Sequence, residues 1–244
     1  MRVAILGATK GMGRSLARLM AKRGDAVFLL GRSADDLRRS GEDLKAHGAS
    51  LVGMAPCTLD SPQTFEPALI AAATALGGLD IVIVTAGMFA TQSELEQDLE
   101  LTQRLLMVNF TNTVIFCEHA RRRLLAGGGG TLCVFSSVAG DRGRTPVLLY
   151  GAAKSGLSTY LEGLDHKFRR HGLSTVCVKP GFVRTSMTAG LPSPPFAGDP
   201  DAVAARVLAA IDARTPVVYA PAIWRVVLLV IRLLPRWVMR RIEI

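Results

Sequence analysis

Seven short apolar runs punctuate the chain, at Val3–Leu6, Val27–Leu30, Leu51–Pro56, Ile81–Thr85, Thr131–Ser136, Thr175–Lys179 and Val217–Tyr219. They are continuous in Val, Ile, Leu, Phe and Cys and do not alternate with polar residues. That pattern predicts strands buried on both faces of a parallel sheet. Between them, GRSLARLMAKRG, DDLRRSGEDLKAHG, LTQRLLMVNFTNTVIFCEHARRRLLAGGGG and GAAKSGLSTYLEGLDHKFRRHG carry a helical spacing. Several of these end in glycine, which suits a left-handed helix cap. The alternation predicts an α/β, doubly wound fold of about seven parallel strands with helices on both faces. A ligand then belongs beyond the carboxyl ends of the strands, near the switch point.

The first strand runs into GATKGMGRSLARLM, with Gly7, Gly11 and Gly13 spaced G-x-x-x-G-x-G. Glycines there let the backbone turn tightly and approach a pyrophosphate, which sits on the positive end of the following helix. The place of this turn, after a buried strand and before an amphipathic helix, makes the fold Rossmann-type and the ligand a dinucleotide. An acid at the end of the second strand would bond the adenosine ribose, whereas an arginine accommodates a 2′-phosphate. Gly31 stands where the acid is expected, Arg32 follows, and Lys10 adds a second cation from the glycine turn. Two cations and no carboxylate at the strand end favour NADP(H) over NAD(H). Asp35 and Asp36 are expected to begin the next helix.

Composition sets few further bounds. The 244 residues suit one large α/β domain, expected over 1–220, with 221–244 as its tail. The N-terminus goes straight into a strand pattern, with no secretion signal. Cys57, Cys117, Cys133 and Cys177 lie far apart and read as structural thiols. The four histidines form no ligand-spaced cluster, so no metal is expected. The expected compartment is a reducing cytoplasm. A formal charge of +9 raises the question of nucleic acid. Its concentration beyond Pro221, where five arginines face the single Glu243, argues against that and calls for a separate account of the tail.

Tyr150 and Lys154 are four residues apart at a predicted helix start, so they share a face. An ammonium beside a phenol stabilises phenolate and is expected to draw the tyrosine toward neutrality, where a general acid or base works best. With Thr85-Ala86-Gly87 after the fourth strand, Asn109 in MVNFTN, the serines of FSSVAG and KPGFVRT at 179–185, the chain resembles the short-chain dehydrogenase/reductase family over roughly residues 1–220. The resemblance implies that Tyr150 protonates the substrate oxygen while hydride arrives from a nicotinamide, and that Lys154 holds the nicotinamide ribose. It implies that Ser137, not Ser136, bonds the substrate carbonyl. It places Asn109 mid-helix to position a proton-relaying water. Pro180 and Gly181 would wall the nicotinamide, and Thr185 would bond its carboxamide. It extends the cofactor contacts to Thr9, Met12, Thr58, Leu59, Ala86, Gly87, Asn109, Tyr150 and Val183. Three positions depart from the family pattern: Leu6 for its usual threonine, Thr85 for asparagine and Thr58 for aspartate.

Beyond Thr185 the Pro/Gly-rich stretch Gly190–Gly198 reads as a loop over the substrate. Its small and apolar residues, with Phe196, point to a largely uncharged substrate. Asp199-Pro200 then caps and starts a helix. In the tail, Arg225, Arg232, Arg236 and Arg240 fall on one narrow stripe of a helix. Trp224, Val227, Leu228, Ile231, Leu234 and Trp237–Val238 fill much of the remainder, and Pro235 should kink it. The run Val226–Ile231 is too short to span a bilayer. Such a helix suits a membrane interface, at the inner face of the membrane, or packing on its own domain or a sister subunit. The expected activity is an NADPH-dependent interconversion of a small ketone or aldehyde and its alcohol. The alternatives are a membrane-surface reductase of a lipid-linked or strongly apolar ketone, or a non-catalytic dinucleotide sensor. The resemblance also implies a homodimer or homotetramer through the helices containing 101–126 and 151–170.

Overall fold

In a computed structural model of the chain, which describes residues 1–194 and 196–242, the seven runs form one parallel sheet. Pro195, inside the predicted substrate loop, and Glu243 and Ile244, at the end of the tail, lie outside the described residues. The strands are β1 (Arg2–Leu6), β2 (Ala26–Gly31), β3 (Leu51–Pro56), β4 (Ile81–Val84), β5 (Gly130–Phe135), β6 (Leu173–Pro180) and β7 (Val217–Ala220). Their order is β3-β2-β1-β4-β5-β6-β7. The chain reverses direction across the sheet between β1 and β4, and Leu6 at the end of β1 stands opposite both Leu30 and Val84.

Alternate residues of each central strand feed two cores. Val3 and Ile5 pack with α1 (Gly11–Lys22), α2 (Ala34–Ala46) and α8 (Pro200–Asp212) through Leu16, Met20, Leu37, Leu44, Val207 and Ile211. Ala4 and Leu6 pack with α3 (Phe65–Leu76), α6 (Asn112–Ala126) and α7 (Leu148–Phe168) through Phe65, Leu69, Phe116, Leu157 and Leu161. Each large side chain so buried stabilises the fold by about 1.5–3 kcal/mol. Two strands depart from the expected double burial. Leu51 and Met54 of β3 and Val217 of β7 are exposed, because these strands are the sheet's edges and carry cover on fewer sides.

Helix boundaries follow local chemistry. Ser33 caps α2 by accepting from the Asp36 amide, and Asp35 and Asp36 occupy its first turn as expected. Asp199 accepts from the amides of Asp201 and Ala202, with Pro200 at the first position of α8. Thr91 and Glu94 form a capping box on α4 (Gln92–Gln97). The predicted long helix over 101–126 is interrupted. Helix α5 (Leu99–Leu106) passes through a π turn at Met107–Thr111 before α6. The tail breaks at Leu234–Pro235 into α9 (Ile223–Leu233) and α10 (Arg236–Met239). Among the described residues, no helix is long and apolar enough to cross a membrane.

Candidate active site

The carboxyl ends of β1 to β4 border a cavity of about 310 Å³. The glycine turn contributes Gly7, Thr9, Lys10, Gly11, Met12 and Gly13 to its wall. Arg32 enters from the end of β2, Thr58 and Leu59 from the segment after β3, Ala86 and Gly87 from the segment after β4, and Thr185 from beyond β6. Gly7 has a φ of +99°, and a Cβ there would stand 2.6 Å from the Ala86 nitrogen. A Cβ on Gly13 would collide with the Gly7 carbonyl and the Thr85 hydroxyl. Thr85 Oγ1 faces two carbonyl oxygens, Gly7 at 2.9 Å and Leu6 at 3.2 Å. A hydroxyl from β4's end therefore braces the turn where Leu6 lacks one. Helix α1 has no side-chain cap among the described residues, so its first N–H groups remain available to an anionic ligand.

The ribose corner differs from expectation at Lys10. Its ammonium lies 3.8 Å from the Asp36 carboxylate, which also takes Arg39 at 2.7 Å. A carboxylate therefore attends one of the two expected cations, since the first turn of α2 swings back over the glycine turn. Arg32 remains exposed on the cavity wall. After β3, Asp60 receives the Arg104 guanidinium at 2.8 Å and lies 3.3 Å from the Thr58 hydroxyl. The Arg104 bond, with a smaller contribution from the charge of Arg32, holds the Asp60 carboxyl below its ordinary range. Arg104 lies 44 residues from Asp60 and carried no local signal.

The reacting end lies across Gly87. Lys154 is buried on α7, with its Nζ donating to the Phe135 carbonyl at 2.9 Å and lying 5.8 Å from the Tyr150 ring centre. A Cβ on Gly87 would stand 3.0 Å from Asn109 Oδ1 and 3.7 Å from Lys154 Nζ. Asn109 sits in the π turn, fully buried. Its amide donates to the Met88 carbonyl at 2.8 Å and accepts from the Met88 nitrogen at 2.9 Å. Ser137 stands two residues beyond β5, accepts from the Ala139 amide at 3.1 Å and faces the Pro180 carbonyl at 3.5 Å. Ser136 instead points into α7, donating to the Lys154 carbonyl at 2.9 Å.

The expected acidification of Tyr150 is corrected by these surroundings. Burial pushes its phenol up to about 12, with the adjacent Ser137 hydroxyl pulling weakly the other way. Burial likewise depresses Lys154 to about 8. The ammonium is held by Phe135 and faces the phenol ring, so desolvation outweighs its attraction for a phenolate.

Asn109, Ser137, Tyr150, Lys154, Pro180, Gly181 and Val183 thus stand beyond the 310 Å³ cavity, and Gly87 is the wall between the two groups. The Val183 side chain belongs to the core beneath α8 and not to the cavity. Gly181 is covered by the Trp224 indole, which would collide with a Cβ there and whose buried N–H has no acceptor among the described residues. Behind Ser137, the Asp141 carboxylate joins Lys179 at 2.5 Å and the Tyr219 hydroxyl at 2.7 Å, tying the 138–141 turn to β6 and β7.

Comparison with known proteins places the fold in a family. The family model described as short chain dehydrogenase matches residues 1–194. An uncharacterized oxidoreductase of Mycobacterium tuberculosis is 31% identical over 239 residues, covering 98% of this chain and 96% of that one. Carbonyl reductase family member 4 of Xenopus tropicalis is 26% identical, covering 84% of this chain and 88% of its own. A variant of the actinorhodin polyketide ketoreductase solved with NADPH superimposes with a TM-score of 0.80 at 23% identity, covering 89% of this chain and 95% of that one. The chain belongs to the short-chain dehydrogenase/reductase family. It is an oxidoreductase acting between CH–OH and C=O groups with a nicotinamide dinucleotide.

Proposed function

We propose that this enzyme is an NADPH-dependent carbonyl reductase in which Tyr150 is the proton donor. The observation that carries the reading is the junction at Gly87, where the uncapped glycine-turn cavity meets Asn109 and Lys154. The cavity fits a dinucleotide: the free amides of α1 suit its pyrophosphate, and Arg32 suits a 2′-phosphate. When bound, the dinucleotide supplies the hydride that reduces the carbonyl carbon. Tyr150 delivers its phenolic proton to the carbonyl oxygen, and Ser137 donates a hydrogen bond to the same oxygen. Lys154 orients the ribose and keeps positive charge beside the phenol. Asn109 fixes the Met88 peptide and holds an amide oxygen near Lys154. At neutral pH Tyr150 carries its phenolic proton, the form that donates to a carbonyl oxygen.

The finer assignments are part of the same proposal. Gly7, Thr9, Lys10, Gly11, Met12, Gly13, Thr58, Leu59, Ala86 and Gly87 hold the adenosine and pyrophosphate half, with Pro180, Gly181, Thr185 and the Val183 backbone at the nicotinamide half. Residues 1–220 act as one reductase unit with 221–244 as its tail. Met107, Phe110 and Ile115 remain exposed along the helix through 101–126, which supports assembly into a homodimer or homotetramer there. The exposed apolar residues of α9 and α10 favour a form of this reading in which the enzyme works at a membrane surface. The deciding assay follows NADPH and NADH absorbance against a panel of ketones and aldehydes. Turnover with NADPH in preference to NADH supports the reading, and equal use of both removes the argument from Arg32.

A further inference from the structure

Helix α9 has one face in the domain and one outside it. On the inner side, Leu228 is fully buried and Trp224 lies on Gly181, the wall residue of the reaction site. The Arg142 guanidinium donates to the Leu234 carbonyl at 2.9 Å, so the end of α9 is tied to the segment that follows Ser137. On the outer side, Val226, Leu229, Val230 and Leu233 are 58%, 58%, 56% and 76% exposed, and Trp237 on α10 is 61% exposed. The i, i+3, i+4, i+7 spacing of the four α9 residues makes one continuous stripe, and Trp237 lies exposed beyond the break at Leu234–Pro235. The expected apolar arc is therefore divided between two surfaces, with Trp224 and Leu228 on the domain.

Charge identifies what fits the outer stripe. Arg225, Arg236, Arg240 and Arg241 are exposed around it, and Arg232, also exposed, borders the cleft that holds Asp141 and Tyr219, in a segment whose sequence holds only one acid. A two-fold contact of the stripe with itself would bring this arginine rim against its own copy, where like charges repel. An anionic lipid surface complements both the apolar stripe and the cationic rim, with the helix lying in the plane of the interface.

We infer that α9 couples an anionic lipid surface to the reaction site: its outer stripe seats in that surface, and Trp224 reports the seating at Gly181. The coupling rests on the reading of Tyr150, Ser137 and Lys154 as a reductase site. The inner seat is suited to respond. A buried indole N–H without an acceptor among the described residues is a poorly satisfied contact, so a small turn of α9 or the arrival of an acceptor relieves it.

The chain's two tryptophans, Trp224 and Trp237, fall one on each face of this arrangement. In the full-length protein, Trp224→Phe leaves a probe just beyond the lipid-facing stripe and Trp237→Phe leaves one at the site wall. Both are titrated with phosphatidylcholine vesicles and with vesicles of phosphatidylcholine and phosphatidylglycerol. The expected result is a blue shift of Trp237 emission with the anionic vesicles alone, reversed by salt. The same vesicles should change Trp224 emission, which NADPH also quenches. Replacing Arg225, Arg236 and Arg240 by Gln should weaken partitioning about fivefold per arginine. A Trp237 response with a silent Trp224 would overturn the coupling while leaving docking in place. A tail-dependent increase in oligomer size without vesicle binding would overturn docking and assign the stripe to a second copy. Intact lipid responses in both variants without any NADPH quenching or turnover would support the lipid contact and remove the reductase reading beneath it.

Discussion

The ammonium nitrogen of Lys154 stands 5.8 Å from the centre of the Tyr150 ring while it donates to the Phe135 carbonyl at 2.9 Å. The lysine is therefore anchored to the sheet, and its charge reaches the phenol from the ring side. Burial governs both groups: it raises Tyr150 to about 12 and lowers Lys154 to about 8.

Tyr150→Phe is expected to lower kcat about a thousandfold, the scale of a lost general acid. NADPH affinity should stay within about twofold, because the phenol does not line the dinucleotide cavity. Steady-state kinetics paired with NADPH fluorescence titration checks both halves.

The pH profile of reduction should be set by Lys154. Its charged form prevails below its pKa of about 8 and is lost above it, while Tyr150 stays protonated to about 12. In the free enzyme, kcat/KM should therefore fall as pH rises through about 8. Lys154→Arg, which stays charged, should remove that inflection even if it slows the reaction. A profile flat from pH 7 to 10, a range of about three units around that value, would contradict the assignment.

The same depression makes Lys154 a cost to stability. Between about 8 and its ordinary 10.5 the unfolded chain binds the proton that the folded chain has released, so this group's contribution to stability rises with pH across that window. Lys154→Met should raise the unfolding free energy at pH 7 by about 2 kcal/mol while abolishing turnover. Urea unfolding of the two proteins at pH 7 and pH 10 measures it, and the gain should shrink at the higher pH.

Arg32→Asp should lower the ratio of kcat/KM for NADPH over NADH by at least about tenfold, since it removes a charge-assisted phosphate contact and offers an acceptor to a ribose hydroxyl. The Asp36 carboxylate beside Lys10 means that Lys10→Ala should change the ratio less. The two variants are compared under saturating ketone.

Asp141→Ala should destabilise the fold by about 3 kcal/mol, because it strands the Lys179 ammonium and the Tyr219 hydroxyl around a nearly inaccessible site. The turn it secures begins at Ser137, so kcat should also fall. Thermal melts and turnover of the same preparation give both numbers.

The strands were legible because a parallel sheet demands continuous apolar runs, and each expected run lies within about two residues of the observed one at either end. The sequence did not show that β3 would be an edge, since composition does not reveal neighbours. Helix α3 was less legible: FEPALIAAATAL is apolar nearly all round and presents no periodic face. The catalytic candidates are local motifs, so spacing along the chain is enough to nominate them. Arg104 with Asp60 and Trp224 with Gly181 are meetings of distant segments, and no spacing rule announces them. The tyrosine's acidity was misjudged for a related reason. Adjacency along a helix is written in the sequence, but desolvation depends on everything packed around it.

The π turn at Met107–Thr111 is an α-helix carrying one surplus residue. Excising a single residue there would restore an ordinary helical path, and it would also rotate Asn109 by about 100° relative to α6. The surplus residue thus works as an angular spacer, keeping one amide trained on Met88 where an uninterrupted coil would aim it at nothing useful.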